Sequence, residues 1–311
     1  MTENVSEIDK DSVFEDEINL IEVFKTLWEG KYFIIICTAV ISIGSIFYSL
    51  SLPNYFTSEA LLIVRDTQKS GSLSQSLGVN SFMGINLSGN SSGDSIKIME
   101  IVKSREFVKH LMTFEDVLPS LIAAKRYDPS SKQLFFDPET YDLETKSWVR
   151  EASLNLSQTP SYLEAHKAYH EMISISQDKM TGLITISMEH LSPIFAENFL
   201  NLIINEANNL NRQIDINDTS KALKYLEQEL ASTSLVEIKK SINQLVEAQL
   251  ETKMMASIHE EYSLVTIEPP FVPEKKSRPV RSLIVIFATI LGGIFSVIVV
   301  ILRHYFIQNK H

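Results

Sequence analysis

Two short groups of residues have the types and spacing from which an enzyme could build a site. The first, Gly89–Gly93, reads G-N-S-S-G and fits the G-x-S-x-G pattern that presents a nucleophilic serine between a buried strand and a helix. Such a serine also needs a histidine base and a carboxylate that orients the base. Residues 85–88 have a poor strand pattern, and serine-rich sequence produces this motif by chance, so hydrolysis at Ser91 is the weakest of the candidate functions.

The second group is a pair of histidines, His166 and His170, which lie four positions apart on a predicted helix and can share one face. A metal site needs a third ligand and groups that orient the ligands, and the sequence points to neither. The acidic pairs 137/142 and 260/261 lack a context that would separate their proton affinities, and no phosphate-binding G-x-x-x-x-G-K-[ST] motif occurs. The sequence therefore predicts solvated side chains, with no catalytic residue, no cofactor and no bound metal.

Composition limits the classes of partner. The 311 residues carry a net charge of −11, which argues against nucleic acid or an anionic membrane surface as the partner. Cys37 is the one cysteine, so this sequence forms no intrachain disulfide and no cysteine-based metal cluster. We therefore expect packing and assembly to stabilise the fold.

The elements that would position any site lie between two uncharged apolar segments, Phe33–Leu52 and Leu283–Leu302. Each contains 20 residues, and a helix of that length spans about 30 Å, the thickness of a hydrocarbon core. The first segment has no small-residue cleavage site after it, so we interpret it as an anchor and not as a signal peptide. Both predict transmembrane helices. Residues 53–281 then lie outside the cytoplasm, with the tails 1–32 and 303–311 inside.

Two segments have unusual composition. Residues 1–16 are acidic and predict a disordered tail, and residues 17–32 have the apolar spacing of an amphipathic segment before the first span. Residues 66–93 are rich in serine, glycine and asparagine. They predict a mobile surface loop or, alternatively, a segment whose few apolar residues contact a neighbouring subunit.

Residues 53–191 and 262–268 predict an α+β base. Apolar patterns indicate strands at Tyr55–Arg65, Met172–Gln177, Leu183–Met188 and Tyr262–Ile267. The middle two strands flank turn residues and predict an antiparallel hairpin, and the first and last predict neighbours in one mixed sheet. Helices that cover this sheet are predicted at Ser95–Met112, Phe114–Lys125, Lys146–Leu156 and Ser161–Tyr169.

A long helical pattern follows at residues 192–261. Ser192 and Pro193 form an N-cap and first-turn pair, and apolar residues recur at mostly helical spacing as far as Ala231. That helix would be about 58 Å long, more than the roughly 45 Å diameter of a compact domain of this size. Ser234 and Glu237 form a capping-box pattern that opens a second apolar stripe. We predict a projecting antiparallel helical hairpin, with a helical pair buried in an ordinary domain as the alternative.

A proline-rich segment, residues 268–281, leads from the base to the second span. Pro269, Pro270, Pro273 and Pro279 fix the backbone and remove hydrogen-bond donors. We predict a stiff, extended connector that carries the position of the base into the second span. The alternative is a plain spacer.

Small residues form a stripe in the second span. Ala288, Gly292 and Ser296 recur every four residues, and Gly293 lies beside them. Small residues at this spacing let helices approach closely in lipid. The stripe predicts packing on the first span or on another membrane protein.

With this layout the chain resembles the chain-length determinant family, also called polysaccharide co-polymerases or Wzz proteins, over nearly its whole length. The residues that carry the resemblance are Ile18–Phe24, Pro53–Ala60, Ile98–Phe107, Ile173–Ile186 and Glu268–Pro279 leading to Gly292 and Gly293.

The resemblance implies a bacterial inner-membrane protein with its main domain in the periplasm and both termini in the cytoplasm. It implies a homo-oligomeric, roughly octameric ring that sets the modal length of a lipid-linked polysaccharide such as O-antigen. In this family the protein modulates the membrane polymerase and is not an enzyme itself. Some relatives carry a cytoplasmic tyrosine-kinase domain, and the short C-terminal tail without a nucleotide motif resembles the kinase-free branch. We expect the second span to contact the polymerase through Gly292 and Gly293.

Two other classes of function remain as alternatives. A membrane-tethered periplasmic ligand sensor needs a cytoplasmic output module, for which the two predicted tails leave little room. An export adaptor also projects helical hairpins, but a second span so near the C-terminus is not expected in that class.

Overall fold

The computed structural model describes residues 26–65, 91–152 and 157–308. The chain divides into two compact units, Met1–Leu52 with Arg278–His311, and Pro53–Ser277. The predictions for the acidic tail, for most of the amphipathic segment and for residues 66–90 of the serine-rich segment lie outside the described residues.

The described elements alternate between helices and short strands. In chain order they are α1 (Lys31–Ser51), β1 (Phe56–Val64), α2 (Ser91–Lys103), α3 (Arg105–Leu111), α4 (Val117–Ile122), β2 (Ala124–Asp128), β3 (Gln133–Phe136), β4 (Tyr141–Asp142), β5 (Ser147–Trp148), α5 (Tyr162–Met172), β6 (Ile173–Gln177), β7 (Ile184–His190), α6 (Pro193–Ser232), α7 (Val236–Ile258), β8 (Leu264–Glu268) and α8 (Arg281–Gln308).

The first unit is a pair of apolar helices, α1 and α8. Two segments have the length and composition of membrane spans, the 21 residues of Lys31–Ser51 and the 23 residues of Arg281–Arg303. Most of their large apolar side chains are exposed within the pair, as expected for helices that pack their outer faces against lipid. The two apolar helices are therefore confirmed, and each begins two residues before its predicted start.

The second unit is built on a four-stranded sheet with the strand order β6-β7-β1-β8. The β6–β7 hairpin is confirmed, with Ile175 opposite Ile186, and β1 lies between β7 and β8 as a neighbour of both. All three pairings are antiparallel, so the prediction of a mixed sheet is wrong. Both β7 and β8 run opposite to β1, so no two neighbouring strands of the sheet are parallel.

One face of this sheet carries the core. Alternate residues of β7 are buried, at positions 184, 186 and 188, because successive side chains of a strand point to opposite faces. They pack with the buried stripe at the start of α6, which includes Phe199, Leu200 and Ile203. Helices α2 to α5 add further residues to the same core, among them Val102 and Tyr169.

Helix α6 has 40 residues and begins where the sequence predicts. The Phe195 main-chain N–H donates to Ser192 Oγ over 3.2 Å, and Pro193 occupies the first turn. A helix of this length extends about 60 Å. Within α6, which is described throughout, the buried residues end at Leu223, so the last two and a half turns extend beyond the core of the base.

Helix α7 returns the chain to the base. A break of three residues separates it from α6, and Tyr262, just after α7, donates to Asp215 in α6. The predicted antiparallel hairpin is therefore confirmed. The predicted capping box at Ser234 and Glu237 is wrong, because α7 starts at Val236 and its N-cap, Leu235, makes no side-chain cap hydrogen bond. Thr233 and Leu235 both have an extended backbone, which moves the helix start by one position.

Two helix predictions in the base are too long. The segment Ser95–Met112 is divided at Ser104, whose extended backbone caps α3 through a hydrogen bond from the Phe107 main-chain N–H to Ser104 Oγ (3.1 Å). The helix predicted at Phe114–Lys125 is only the short α4, since Ala124 and Lys125 belong to β2.

The helix prediction for Lys146–Leu156 is wrong over the residues that the structure describes. Residues 147–148 form β5, which pairs with β4, and residues 149–152 are not helical. Asp142 stabilises the turn, since its carboxylate accepts from the Glu144 main-chain N–H (3.0 Å) and from Thr145 Oγ1 (2.7 Å). The rings of Tyr141 and Trp148 meet edge to face across the two strands, 5.0 Å apart. Turn chemistry and a cross-strand aromatic pair therefore override the helical spacing.

Candidate functional site

Two of the acidic residues considered for catalysis, Asp137 and Asp142, have structural contacts. Ser91 is the first residue of α2, and the residues that would form the strand of a nucleophile elbow lie outside the described part of the chain. Asp137 accepts a hydrogen bond from Lys125 Nζ (2.7 Å), which lowers the pKa of Asp137. The pKa of Asp142 is also lowered, chiefly by its hydrogen bond from Thr145. A general acid requires a carboxyl group with a raised pKa. The lowered pKa values of Asp137 and Asp142 instead fit roles in an ion pair and in a turn.

A row of polar residues on α6 joins the helical hairpin to β8. Asn208 is buried, and its Oδ1 accepts from the main-chain N–H groups of Ser263 (2.9 Å) and Leu264 (2.7 Å). Its Nδ2 donates to the Leu264 carbonyl oxygen over 2.9 Å. A single side chain therefore satisfies three main-chain groups at the start of an edge strand, and such buried groups are costly to leave unpaired.

Two further turns of α6 continue this row. Asn211 Nδ2 donates to Ser263 Oγ, and Asp215 Oδ2 accepts from the hydroxyl of Tyr262 over 2.8 Å. Lys97 Nζ lies 3.8 Å from Asp215 Oδ1 and brings α2 to the same place. We call these contacts the hairpin junction, defined by residues 208, 211, 215 and 262–264. It fixes the part of the hairpin nearest the base, residues 208–215 of α6, to β8, which leads into the connector.

The proline connector continues from β8 and lies against β1. Pro270 and Pro273 are buried, whereas Pro269 is exposed. Ser58 Oγ donates to the carbonyl oxygen of Phe271 over 2.8 Å. The Ser277 main-chain N–H donates to the Tyr55 carbonyl oxygen, also over 2.8 Å. The connector is therefore bound to the base near both of its ends, an arrangement that would limit its motion.

In the first unit, the small residues of α8 face α1. Gly292 is buried, and a Cβ atom added there would lie 2.9 Å from Ile41 Cγ2, which is too close for a side chain without movement. Ser296 is also buried and donates to the Gly292 carbonyl oxygen over 2.7 Å. A hydrogen bond of 3.0 Å joins the hydroxyls of Ser42 and Thr289 across the pair. Close approach and an interhelical hydrogen bond are the contacts that hold helices together in lipid.

The other residues of the predicted stripe lie at the edge of this contact. Ala288 and Gly293 are half-buried, and a Cβ atom on Gly293 would meet only Thr38 Oγ1, at 4.0 Å. Pro279 belongs to the same unit and is half-buried. The stripe thus packs on the first span at Gly292 and leaves room for further contact at Gly293.

His190 fixes the start of α6. It is buried, its Nε2 donates to the Ser120 carbonyl oxygen (3.0 Å), and its Nδ1 accepts from the Ser192 main-chain N–H (3.1 Å). These partners require a neutral imidazole with one defined tautomer. Burial lowers the pKa of His190 to about 4.

We predict that acidification destabilises the second unit through His190. Because the folded-state pKa lies below the ordinary value of about 6.5, the contribution is complete above pH 6.5 and is lost as the pH falls towards 4. The loss amounts to about 3 kcal/mol. Urea unfolding of the wild type and of His190→Gln, each at pH 7.5 and 4.5, measures it. The variant should be less stable at pH 7.5 but less sensitive to pH; parallel losses in both proteins would contradict this role of His190.

Comparison with known protein families gives a match over the N-terminal part of the chain. Residues 16–113 match the family model described as Wzz, chain length determinant protein. The chain contains a Wzz chain length determinant domain. The matched range includes α1, β1, α2 and α3, and therefore the first apolar helix and a central strand of the sheet. Members of the Wzz family are regulators of chain length rather than catalysts.

Two solved structures of related description are similar to the chain. One is a full-length bacterial polysaccharide co-polymerase with 13% sequence identity and a TM-score of 0.41. The similarity covers 94% of this chain and 99% of that structure. The other is a fragment of WzzB, a polysaccharide co-polymerase from Salmonella Typhimurium, with 12% sequence identity and a TM-score of 0.30. The similarity covers 72% of this chain and 100% of that fragment. At these scores the Wzz assignment rests on the family model. A comparison with curated proteins finds no match.

The Wzz domain supplies one side of the connector contact. Tyr55 and Ser58, which hold Ser277 and Phe271, both lie within the matched range. The sequence pattern did not indicate a role for Ser58 or Ser277, because their hydrogen-bond partners are main-chain groups more than 200 positions away. A sequence signal did exist for the hairpin junction: positions 208, 211 and 215 have helical spacing on the side of α6 that also carries buried apolar residues.

Proposed function

We propose that this Wzz-domain protein is an oligomeric regulator of the bacterial inner membrane that sets the modal chain length of a surface polysaccharide, the O-antigen of lipopolysaccharide. It acts on the polymerase and catalyses no reaction itself. The observation that carries this proposal is the Wzz family match at residues 16–113, in a chain whose α+β unit lies between two apolar helices of spanning length.

The proposed topology places the unit Pro53–Ser277 in the periplasm and both termini in the cytoplasm. Segments longer than about 60 residues translocate largely regardless of their charge, so the acidic and basic residues of this unit do not oppose that placement. Each apolar helix then crosses the membrane once, and the chain runs from the connector into α8.

A ring of copies is the proposed assembly, and the exposed apolar surface of the hairpin supports it. Exposed apolar stripes of this kind mark contacts between proteins, and repeated head-to-tail contacts close into rings. The exposed apolar residues of α7 and its N-cap are Leu235, Val236, Ile238, Leu245, Leu250, Met254 and Ile258.

Charges on this surface should separate the copies. We expect Ile238→Asp combined with Leu245→Asp to reduce the mass of the assembly in mild detergent while each chain stays folded, because both side chains are about half exposed. Native mass spectrometry and circular dichroism measure the two properties. The control is Asn243→Asp, which adds a charge at an exposed polar position of the same helix. An assembly that is unchanged in the double variant, or a wild type that is already monomeric, would contradict the ring.

The proposed contact with the polymerase lies on α8, at the edge of the small-residue stripe. Gly292 is covered by Ile41 in the same chain, so the accessible part of this surface is near Gly293 and Ala288. The connector prolines would then relay the position of the base to this helix.

Deletion of the gene, followed by electrophoresis of the surface polysaccharide, tests the function. The proposal expects the preferred chain length to disappear while polymer is still made, and the wild-type gene to restore it. A Ser91→Ala variant should restore it equally well. Loss of all polymer would indicate an enzyme, and an unchanged ladder would leave the sensor and export-adaptor alternatives.

A further inference from the structure

Three lone-pair-bearing atoms meet where α5 packs on the end of α2. The Nε2 atoms of His166 and His170 are 3.0 Å apart, and each lies 3.0 Å from the carbonyl oxygen of Lys103. If both nitrogens carry protons, both can donate to the oxygen, but the 3.0 Å contact between the nitrogens then joins two donors. If one keeps its lone pair, that lone pair faces the oxygen. No placement of protons satisfies all three contacts, whereas a cation bound by all three atoms would.

The position of the oxygen favours a cation. Lys103 is the last residue of α2, a helix of 13 residues. The final carbonyl groups of a helix have no partner within the helix and form the negative end of its dipole. Imidazole nitrogens are ligands for zinc, copper and nickel, so the atoms present suit a divalent transition metal.

The helix that carries the two rings is fixed without a metal. Tyr169, between them on α5, is buried and donates to the Val102 carbonyl oxygen over 3.1 Å. The N-terminus of α5 is fixed by a capping box between Ser161 and Glu164. Arg150 donates to both carboxylate oxygens of Glu164, over 2.6 and 3.2 Å, and lowers the pKa of Glu164 to about 2. A site whose ligands are positioned in advance loses less entropy on binding.

We propose that His166 Nε2, His170 Nε2 and the Lys103 carbonyl oxygen form a site for a divalent transition-metal ion of the zinc class. Ligand atoms 2.0–2.1 Å from a tetrahedral zinc lie about 3.3 Å apart, close to the 3.0 Å spacing of these three atoms. Among the described residues no three His, Cys, Asp or Glu side chains come together, so water completes the coordination. Bound metal would join α2 to α5.

This site differs from the sequence prediction of solvated histidines without metal. The prediction lacked a third ligand, and that ligand is a main-chain oxygen 63 positions from His166. The site is independent of the proposed role in chain-length control.

Zinc titration of the full chain tests the proposal. The protein is purified in detergent without a polyhistidine tag, treated with a chelator and titrated with zinc chloride by calorimetry. We expect one zinc ion per chain, and His170→Gln should weaken binding by at least about tenfold, the range found even for the groups that orient metal ligands. The control, His259→Gln, changes a histidine at the end of α7 and should bind zinc as the wild type does.

A second pair of measurements separates a built site from incidental binding. Because metal that binds only the folded state stabilises it, zinc should raise the melting temperature of the wild type and not that of His170→Gln. Without zinc the two should melt alike, since His170 is exposed. Zinc-edge X-ray absorption should show two imidazole ligands. No stoichiometric binding, equal binding by the wild type and His170→Gln, or a zinc environment without imidazole would each overturn the site.

Discussion

Replacing Asn208 by alanine will lower the free energy of unfolding of the unit Pro53–Ser277 by about 3–5 kcal/mol. The side chain pairs with three main-chain groups of Ser263 and Leu264, all at the buried start of β8. Each buried group left without a partner costs about 1–3 kcal/mol, and alanine also leaves a small cavity. Chemical denaturation of the full chain in detergent, followed by circular dichroism, measures the loss.

The same helix provides the control for Asn208→Ala. Asn205 lies on the exposed side of α6, and Asn205→Ala should change the stability by less than about 0.5 kcal/mol. Hydrogen exchange adds a local readout, because the amides of Ser263 and Leu264 should lose protection in the Asn208 variant alone. Equal stabilities of the two variants would show that the hairpin junction contributes little.

The hairpin junction also has a consequence for chain-length control as proposed here. Asn208 holds β8, β8 pairs with β1, and the connector is bound by Ser58 in β1 and by Tyr55 just before β1. A force on the part of the hairpin nearest the base therefore has a continuous route of hydrogen bonds to the connector. We expect cells that carry Asn208→Ala to make polymer of less uniform length at equal protein level, and cells with Asn205→Ala to resemble the wild type.

Local periodicity was sufficient to predict the elements that form the frame of the fold. The alternation in β7 and the turn before it define the β6–β7 hairpin, and the Ser192 cap with the following apolar stripe defines the start of α6. These signals are local, since they arise from side chains that are neighbours on one strand or on one helix. The two apolar helices are recognised from composition alone.

The predictions are wrong where a side-chain contact between two strands or a main-chain partner decides the structure. Ser104 divides a helix by capping the next one, and the Tyr141–Trp148 pair produces a strand where the spacing predicted a helix. The partners of Asn208 and His170 are main-chain groups. Since every residue has a carbonyl and nearly every residue an N–H, sequence cannot indicate which of them a side chain will reach.

Replacing Gly292 by leucine will shift the distribution of polymer lengths by disturbing the pair of apolar helices, and Gly293→Leu will shift it by disturbing the proposed polymerase contact. A Cβ atom at Gly292 would lie 2.9 Å from Ile41 Cγ2, while at Gly293 the nearest atom is 4.0 Å away. Overpacking of this kind typically costs about 1–3 kcal/mol and forces α1 and α8 apart. Electrophoresis of the polysaccharide from cells with equal amounts of each variant in the membrane measures the shift.

A second substitution identifies which contact is responsible. Ile41→Ala removes the Cγ2 and Cδ1 atoms that crowd Gly292, so Ile41→Ala combined with Gly292→Leu should recover part of the wild-type distribution. Gly293→Leu should keep its shift when combined with Ile41→Ala, because no Ile41 atom lies near Gly293 and its effect comes from the proposed polymerase contact; recovery of both glycine variants by Ile41→Ala would contradict that contact. If neither glycine variant changes the ladder, close packing of the two helices is not needed for chain-length control, since leucine at Gly292 cannot be accommodated without moving Ile41.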